Sequence, residues 1–227
     1  FSAEQLSSGI EGIDALLHGG IERGTVSVVS GPTGVGKTTL GCQFMAETAA
    51  RGERSVIYMF EEATETFLAR SRAIGIPVDE MLETGNLAIE EIEPLALSPD
   101  EFATMVREEV EEHDAGTVMV DGIDGYRLSM KGEEDDHTRE LHSLCRYLRN
   151  MGVTTLLVYT QSRLTGEVRP TEHNVSYLAD NIVLLRYLEL DGELRKAISV
   201  LKKRTSDFER TLREFEITGD GIGVGDP

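Results

Sequence analysis

Short apolar runs rich in β-branched residues alternate along this chain with stretches of helical spacing. The runs at 25–30, 55–60, 117–121 and 153–160 are apolar almost throughout rather than at every second position, as strands covered on both faces are. Between them, 39–50 reads as a helix. A second begins at Thr64, turns Phe67, Leu68 and Ile74 to one side and is stopped by Gly75 and Pro77. A third spans 98–112, with Ser98 as N-cap, Pro99 in the first turn and Glu101 three residues on from the cap. The fourth covers 138–150, preceded by the acidic run 133–136 at its positive dipole end. A short acid-edged strand at 87–92 and one helical turn at 14–17 complete the alternating part.

After a polar loop at 162–173, the runs 181–190, 194–203 and 213–217 follow one another with only tight turns such as Asp191-Gly192 between them. This order predicts an α/β fold: a mainly parallel central sheet with helices on both faces and an antiparallel C-terminal extension. Its ligand should lie at the carboxyl ends of the strands. The 227 residues suit a single domain, 1–227. The chain starts at Phe1 without an initiator Met, which reads as a domain trimmed from a longer protein, and it shows no basic-then-apolar leader. It has no apolar run long enough to span a membrane.

The stretch Gly31-Pro32-Thr33-Gly34-Val35-Gly36-Lys37-Thr38 stands between a buried strand and a helix, the order of a phosphate-binding P-loop. Its glycines let successive backbone N–H groups turn inward around phosphates, and the helix N-terminus adds its positive end. Lys37 can reach the β- and γ-phosphates and the Thr38 hydroxyl can ligate Mg²⁺. Thr33, Gly34, Val35, Gly36, Lys37, Thr38 and Thr39 thus form the expected ATP cradle.

Asp121 closes an apolar strand, where a carboxylate can hold Mg²⁺ in the Walker B role, the strand being 117–121. Glu61 and Glu62 end another strand on the same edge. One can polarise an attacking water and the other can support it or the metal shell, with Glu61 a candidate beside Thr38 and Asp121. Gln161 ends the strand after that of Asp121, where its amide could sense the γ-phosphate. Lys202-Lys203-Arg204 is the one basic cluster, readable as a finger offered to a neighbour's ATP or as a nucleic-acid contact. His137 and His142 read as surface residues of their helix, and Cys42 and Cys145 as buried thiols in a reducing cytoplasm.

Charge narrows the function classes. The formal net charge is −19, and of 22 basic residues five are lysines. Such acidity with few lysines fits a protein of concentrated salt, where self-repulsion is screened. It argues against broad nucleic-acid affinity, which needs clustered Lys and Arg.

In these residues the chain resembles the KaiC-like branch of the RecA superfamily of ATPases. The likeness runs through the entry motif Gly9-Ile10…Asp14…Gly19-Gly20-Ile21…Gly24, the P-loop, Phe60-Glu61-Glu62, Val120-Asp121, Ala179-Asp180 and the ending Val200-Leu201-Lys202-Lys203-Arg204…Arg213-Glu214-Phe215. It implies a catalytic acidic pair at Glu61 and Glu62. It also implies that Lys202 and Arg204 cross a subunit interface to a neighbour's phosphates, with Ser206 and Lys196 near the same nucleotide, in an ATP-bridged hexameric ring. In clock members a Ser-Thr pair accepts phosphate; here the corresponding pair is Ser176-Tyr177, and Thr205 stands where the family often has glycine.

The resulting expectation is a Mg²⁺-dependent ATPase that signals to a protein partner through a self-assembled ring. Alternatives are a recombinase-like relative of the archaeal RadA paralogs, an ATP-gated scaffold that does not hydrolyse, and an autokinase using Ser176.

Overall fold

The computed structural model describes residues 4–132, 134–161 and 177–227. Ser176 and the polar loop 162–173 therefore lie outside the described residues.

A two-residue pair of strands, β1 (Gln5–Leu6) and β2 (Ile21–Glu22), brackets a short helix α1 (Glu11–Leu16). The central layer then starts with β3 (Val26–Gly31), followed by α2 (Lys37–Ala50), β4 (Arg54–Met59), α3 (Thr64–Ala73), α4 (Val78–Glu83) and β5 (Leu87–Glu91). The chain continues through α5 (Pro99–Glu111), β6 (Ala115–Asp121), α6 (Ile123–Ser129), α7 (Glu134–Asn150) and β7 (Thr154–Thr160). It closes with β8 (Asn181–Leu190), β9 (Glu193–Lys203), β10 (Arg213–Thr218) and β11 (Gly221–Val224).

Among the described residues the main sheet has the order β11-β10-β9-β8-β3-β7-β6-β4-β5. The strands from β8 through β5 run parallel, and β9, β10 and β11 add on antiparallel to their neighbours. The expected α/β architecture with an antiparallel C-terminal extension is present.

Why both sides of the sheet are covered is visible residue by residue. Val26, Val28, Val56, Tyr58, Val118, Val120 and Leu157 point into one core with α5, α6 and α7. Val29, Ile57, Met59, Met119, Leu156 and Val158 point into the other, with α1 to α4. Side chains alternate across a strand, so a strand with two covered faces is apolar at most positions, with only short hydroxyl side chains such as Ser27, Ser30, Ser55 and Thr155 buried among them. The Ser98 capping box forms as read: the Glu101 N–H donates to the Ser98 hydroxyl at 3.3 Å, and the Ser98 N–H to the Glu101 carboxylate at 2.7 Å.

Several local expectations are corrected. Helix α7 begins at Glu134, so the acidic residues from there on form its first turn rather than precede it. His137 is not a surface residue. It is 1% exposed, with Nδ1 2.9 Å from the Arg127 carbonyl and Nε2 3.2 Å from the Lys131 carbonyl. Helices α4 and α6, of six and seven residues, and strand β11, of four, went unpredicted, because so few residues carry too little periodicity to separate from a loop. Among the described residues no helix is long and apolar enough to cross a membrane.

Candidate nucleotide site

The loop 31–38 joins β3 to α2 at the carboxyl edge of the sheet. Gly36 caps α2 at φ +113°, and a Cβ there would fall 2.4 Å from Ile217 Cδ1 of β10. Backbone and packing both demand glycine. Val35 is buried and anchors the loop, Thr33 and Gly34 are exposed, and Thr39 is buried in the first turn of the helix. Lys37 is buried and donates to the Pro32 carbonyl at 2.7 Å. Burial pushes its ammonium down to about 8, against the pull of the Asp121 and Glu61 carboxylates.

Strands β6 and β4 end level at Asp121 and Met59, β3 and β7 run two residues further to Gly31 and Thr160, and these ends carry the remaining groups. The Thr38 hydroxyl donates to Asp121 Oδ2 at 2.9 Å, with Oδ1 at 3.1 Å. Burial pushes the Asp121 carboxyl up to about 6. The Thr38 hydrogen bond and the Arg70 charge oppose the rise, and the charges of Glu62 and Glu61 add to it.

Just past β4, the two glutamates take different partners. Glu61 Oε1 accepts the Gly125 N–H at 3.0 Å, and a Cβ on Gly125 would lie 2.7 Å from Glu61 Cγ. Glu62 meets the Arg70 guanidinium at two points, 2.5 and 2.7 Å. Beneath them Phe60, Phe102 and Tyr126 pack ring to ring at 5.4–5.6 Å, which fixes where the chain leaves β4. Gln161, at the end of β7, donates its backbone N–H to the Gly31 carbonyl at 2.9 Å and its amide to the Ser30 hydroxyl at 3.1 Å.

The basic residues of β9 separate. Lys196 donates to the Gly34 carbonyl at 3.3 Å, beside Tyr187, whose hydroxyl donates to the Thr33 carbonyl at 3.4 Å. Lys196 pairs in register with Tyr187, whereas Lys202 pairs with Ile182 at the far end of β8. At about 3.3 Å per residue, six residues of strand put roughly 20 Å between them. Lys196 thus touches its own P-loop, while Lys202, Arg204 and Ser206 stand at the opposite edge, and the four do not converge within one chain.

The basic triplet is itself divided by strand alternation. Lys203 is buried in an ion pair with Glu22 at 3.1 Å and also donates to the Leu17 carbonyl. Ser206 donates to Glu22 at 2.6 Å. Arg204 is exposed and sits 3.3 Å from Asp180, whose carboxylate also takes Arg149 and the Val26 N–H at 2.9 Å each. Burial and the adjoining Arg204 charge push the Lys202 ammonium down.

A family model described as the KaiC ATPase matches residues 6–227. The chain belongs to the KaiC family of ATPases. It is similar to the circadian clock protein KaiC3 of Synechocystis sp., at 29% identity over 223 residues, 98% of this chain and 44% of that protein. The circadian clock oscillator protein KaiC of Picosynechococcus sp. is 27% identical over 99% of this chain and 43% of its own length. The oscillator protein of Synechococcus elongatus is 26% identical over 98% and 42%. The chain spans less than half the length of these curated relatives. Membership makes the fold a RecA-like P-loop ATPase fold.

Sequence reading had not singled out Gly125, Arg70 or Tyr187. Gly125 left a faint trace in Asp121-Gly122-Ile123-Asp124-Gly125, two glycines just past a strand-end carboxylate. Arg70 left none, because its meaning depends on which way Glu62 turns.

Proposed function

We propose that residues 1–227 form a single ATPase domain that binds and hydrolyses Mg²⁺-ATP as a KaiC-like regulatory ATPase. In this reading it works in a homo-oligomeric ring, a hexamer, that signals to a protein partner. The observation that carries the hydrolytic reading is the convergence of the Thr38 hydroxyl, the Asp121 carboxylate and the Glu61 carboxylate beside the P-loop.

The donor set suits the metal: Mg²⁺ takes one or two hard protein oxygens together with phosphate oxygens, and Thr38 and Asp121 offer a hydroxyl and a buried carboxylate already in contact. When bound, the ion would neutralise phosphate charge. Lys37 exchanges the Pro32 carbonyl for the β- and γ-phosphates, trading a neutral acceptor for an anionic one. Glu61, held by Gly125, takes a proton from water as its oxygen attacks the γ-phosphorus. The bond to the bridging oxygen breaks, and ADP and phosphate leave. Glu62 supports Glu61, and Gln161 senses the γ-phosphate from the end of β7. Lys196 and Tyr187 back the loop.

Lys202, near the end of β9, and Arg204 and Ser206, just past it, lie too far from the P-loop to serve their own chain's nucleotide. We assign them to the ATP of a neighbouring copy, which supports a ring with shared sites. The acidic surface fits work in concentrated salt.

The test follows ATP labelled on its γ-phosphate, with Mg²⁺ and molar potassium chloride, for the wild type and for Glu61→Gln with Glu62→Gln. Free phosphate from the wild type, lost in the double variant with binding intact, is the expected result. An occupied site releasing none would leave an ATP-gated scaffold. Label retained on the protein would turn attention to Ser176, and salt-dependent binding of single-stranded DNA to the RadA-like alternative.

A further inference from the structure

We propose that Arg70 is a positioning residue for hydrolysis: by clamping Glu62 it leaves Glu61 as the single base of the acidic pair. The inference rests on the hydrolytic reading above and assigns different tasks to two neighbouring, chemically identical side chains.

Glu61 and Glu62 follow β4 on one bend, so sequence alone leaves both free to turn toward the phosphates. The structure turns them apart. Among the described residues Glu61 accepts one backbone N–H, from Gly125 of α6, an arrangement that leaves carboxylate lone pairs for a water. Glu62 is engaged at both oxygens by the planar guanidinium of Arg70, in the two-point geometry that holds a carboxylate in orientation as well as in place.

The clamp is itself mounted rigidly. Arg70 rides on α3, whose buried Phe67 and Leu68 key it into the core. The first residue of α3, Thr64, donates both its N–H and its hydroxyl to Glu91 at the end of β5, at 2.9 and 3.0 Å. Arg72, two residues on, is taken by Asp79 at 2.6 Å and does not compete for Glu62.

Charge gives the clamp its purpose. Glu61, Glu62 and Asp121 crowd one rim, and a polyphosphate adds several more negative charges there. Of the two glutamates, Glu62 is the one whose charge Asp121 feels more. A released Glu62 would repel the phosphates and compete with Glu61 for Gly125 and for water; Arg70 cancels that charge where it arises.

Four proteins decide the matter: the wild type, Arg70→Ala, Glu62→Gln, and the two changes together, each measured for kcat, KM and binding of a non-hydrolysable ATP analogue. Arg70→Ala should lower kcat on the order of ten- to a hundredfold, the scale of a misplaced catalytic group, with analogue affinity within about threefold. Glu62→Gln should cost less, because an amide carries no charge to compete. On that background Arg70→Ala should cost nothing further, since its effect passes through Glu62. Arg70→Lys, which keeps the charge but not the fork, should recover part of the rate, and melting of each variant checks the fold. Equal losses from Arg70→Ala on both backgrounds would mean that Arg70 acts on the nucleotide directly, and would overturn the proposal. A wild type that binds ATP without hydrolysing it would instead remove the hydrolytic reading, and this inference with it.

Discussion

The carboxyl rim of the sheet, where β3, β4, β6 and β7 end, and the opposite rim, where β8 begins and β9 ends, are both dense in charge but hold it differently. At the carboxyl rim the key groups have weak or provisional partners. Lys37 rests on a carbonyl and is pushed down to about 8, and Asp121 rests on a hydroxyl and is pushed up to about 6. Each is buried in a setting that disfavours its charge, and each has something to gain from a ligand of opposite sign. At the opposite rim the charges are already matched. Lys203 lies on Glu22, and Asp180 holds Arg149, Arg204 and a backbone N–H. Burial acts to raise the Glu22 carboxyl, but hydrogen bonds from Ser206, its own backbone and Lys203 outweigh it and hold the group below the usual range. Lys37 and Asp121 are poised to bind their own chain's nucleotide, whereas Lys203 with Glu22 and Asp180 with Arg149 are fastened within the fold. A similar density of charge can thus mark either a site or a fastening, and what distinguishes them is whether the partners come from the fold.

The comparison can be broken in order of effect. Glu61→Gln should lower kcat on the order of 10²- to 10⁴-fold, the range for losing a positioned proton acceptor, with ATP affinity kept; single-turnover phosphate release measures it. At the other rim, Glu22→Ala strands Lys203 without its carboxylate and should cost about 3–5 kcal/mol of stability. In thermal melts that is a drop of roughly 10 °C or more, with ATP binding per folded molecule unchanged. Lys37→Met should weaken ATP binding about a hundredfold, the scale of hydrogen bonds to a charged group. It should leave the melting temperature equal or higher, because a buried, disfavoured cation is gone; calorimetric titration and melting together check both halves.

A pH series sharpens the contrast. Mg²⁺-ATP affinity should fall about tenfold per pH unit below about 6, where Asp121 protonates, and again above about 8, where Lys37 loses its proton. Stability without nucleotide moves oppositely at the two rims. The raised carboxyl of Asp121 makes the folded state take up a proton as pH drops through about 6, which favours folding on acidification. Glu22 is lowered, so its contribution is present above the usual carboxylate range and is lost as pH falls through its folded-state value. Glu22→Ala should remove the second dependence and leave the first. The smallest change is Ser206→Ala, which removes one hydrogen bond to Glu22 and should cost about 0.5–1.5 kcal/mol.

Much of the fold was legible because its signals are local. A strand covered on two faces is apolar on both, apart from small hydroxyl side chains, so 25–30, 117–121 and 153–160 announced a covered parallel sheet. The Ser98-Pro99-Glu101 cap and the glycine-rich turn before Lys37 are likewise short-range devices whose chemistry is readable from spacing. His137 was misread because its burial depends on α6, an element too short to foresee, and on the turn after it, which present the Arg127 and Lys131 carbonyls to its ring. The triplet 202–204 looked like one basic patch, yet a strand must send its middle residue to the other face, where Lys203 met Glu22.

What the sequence by itself determined is everything set by a residue's near neighbours along the chain: the α/β alternation, the P-loop with its glycines and lysine, and the carboxylates that end strands at 61–62 and 121. Only the tertiary structure decided which of these meet. It turned Glu61 to Gly125 and Glu62 to Arg70, set Thr38 against Asp121, and parted Lys196 from Arg204 by most of a strand's length. The physical reason is range. Propensity, turn chemistry and periodicity act over a few residues, whereas the direction a carboxylate faces is set by a donor that sequence distance does not reveal, brought beside it by packing of the whole sheet.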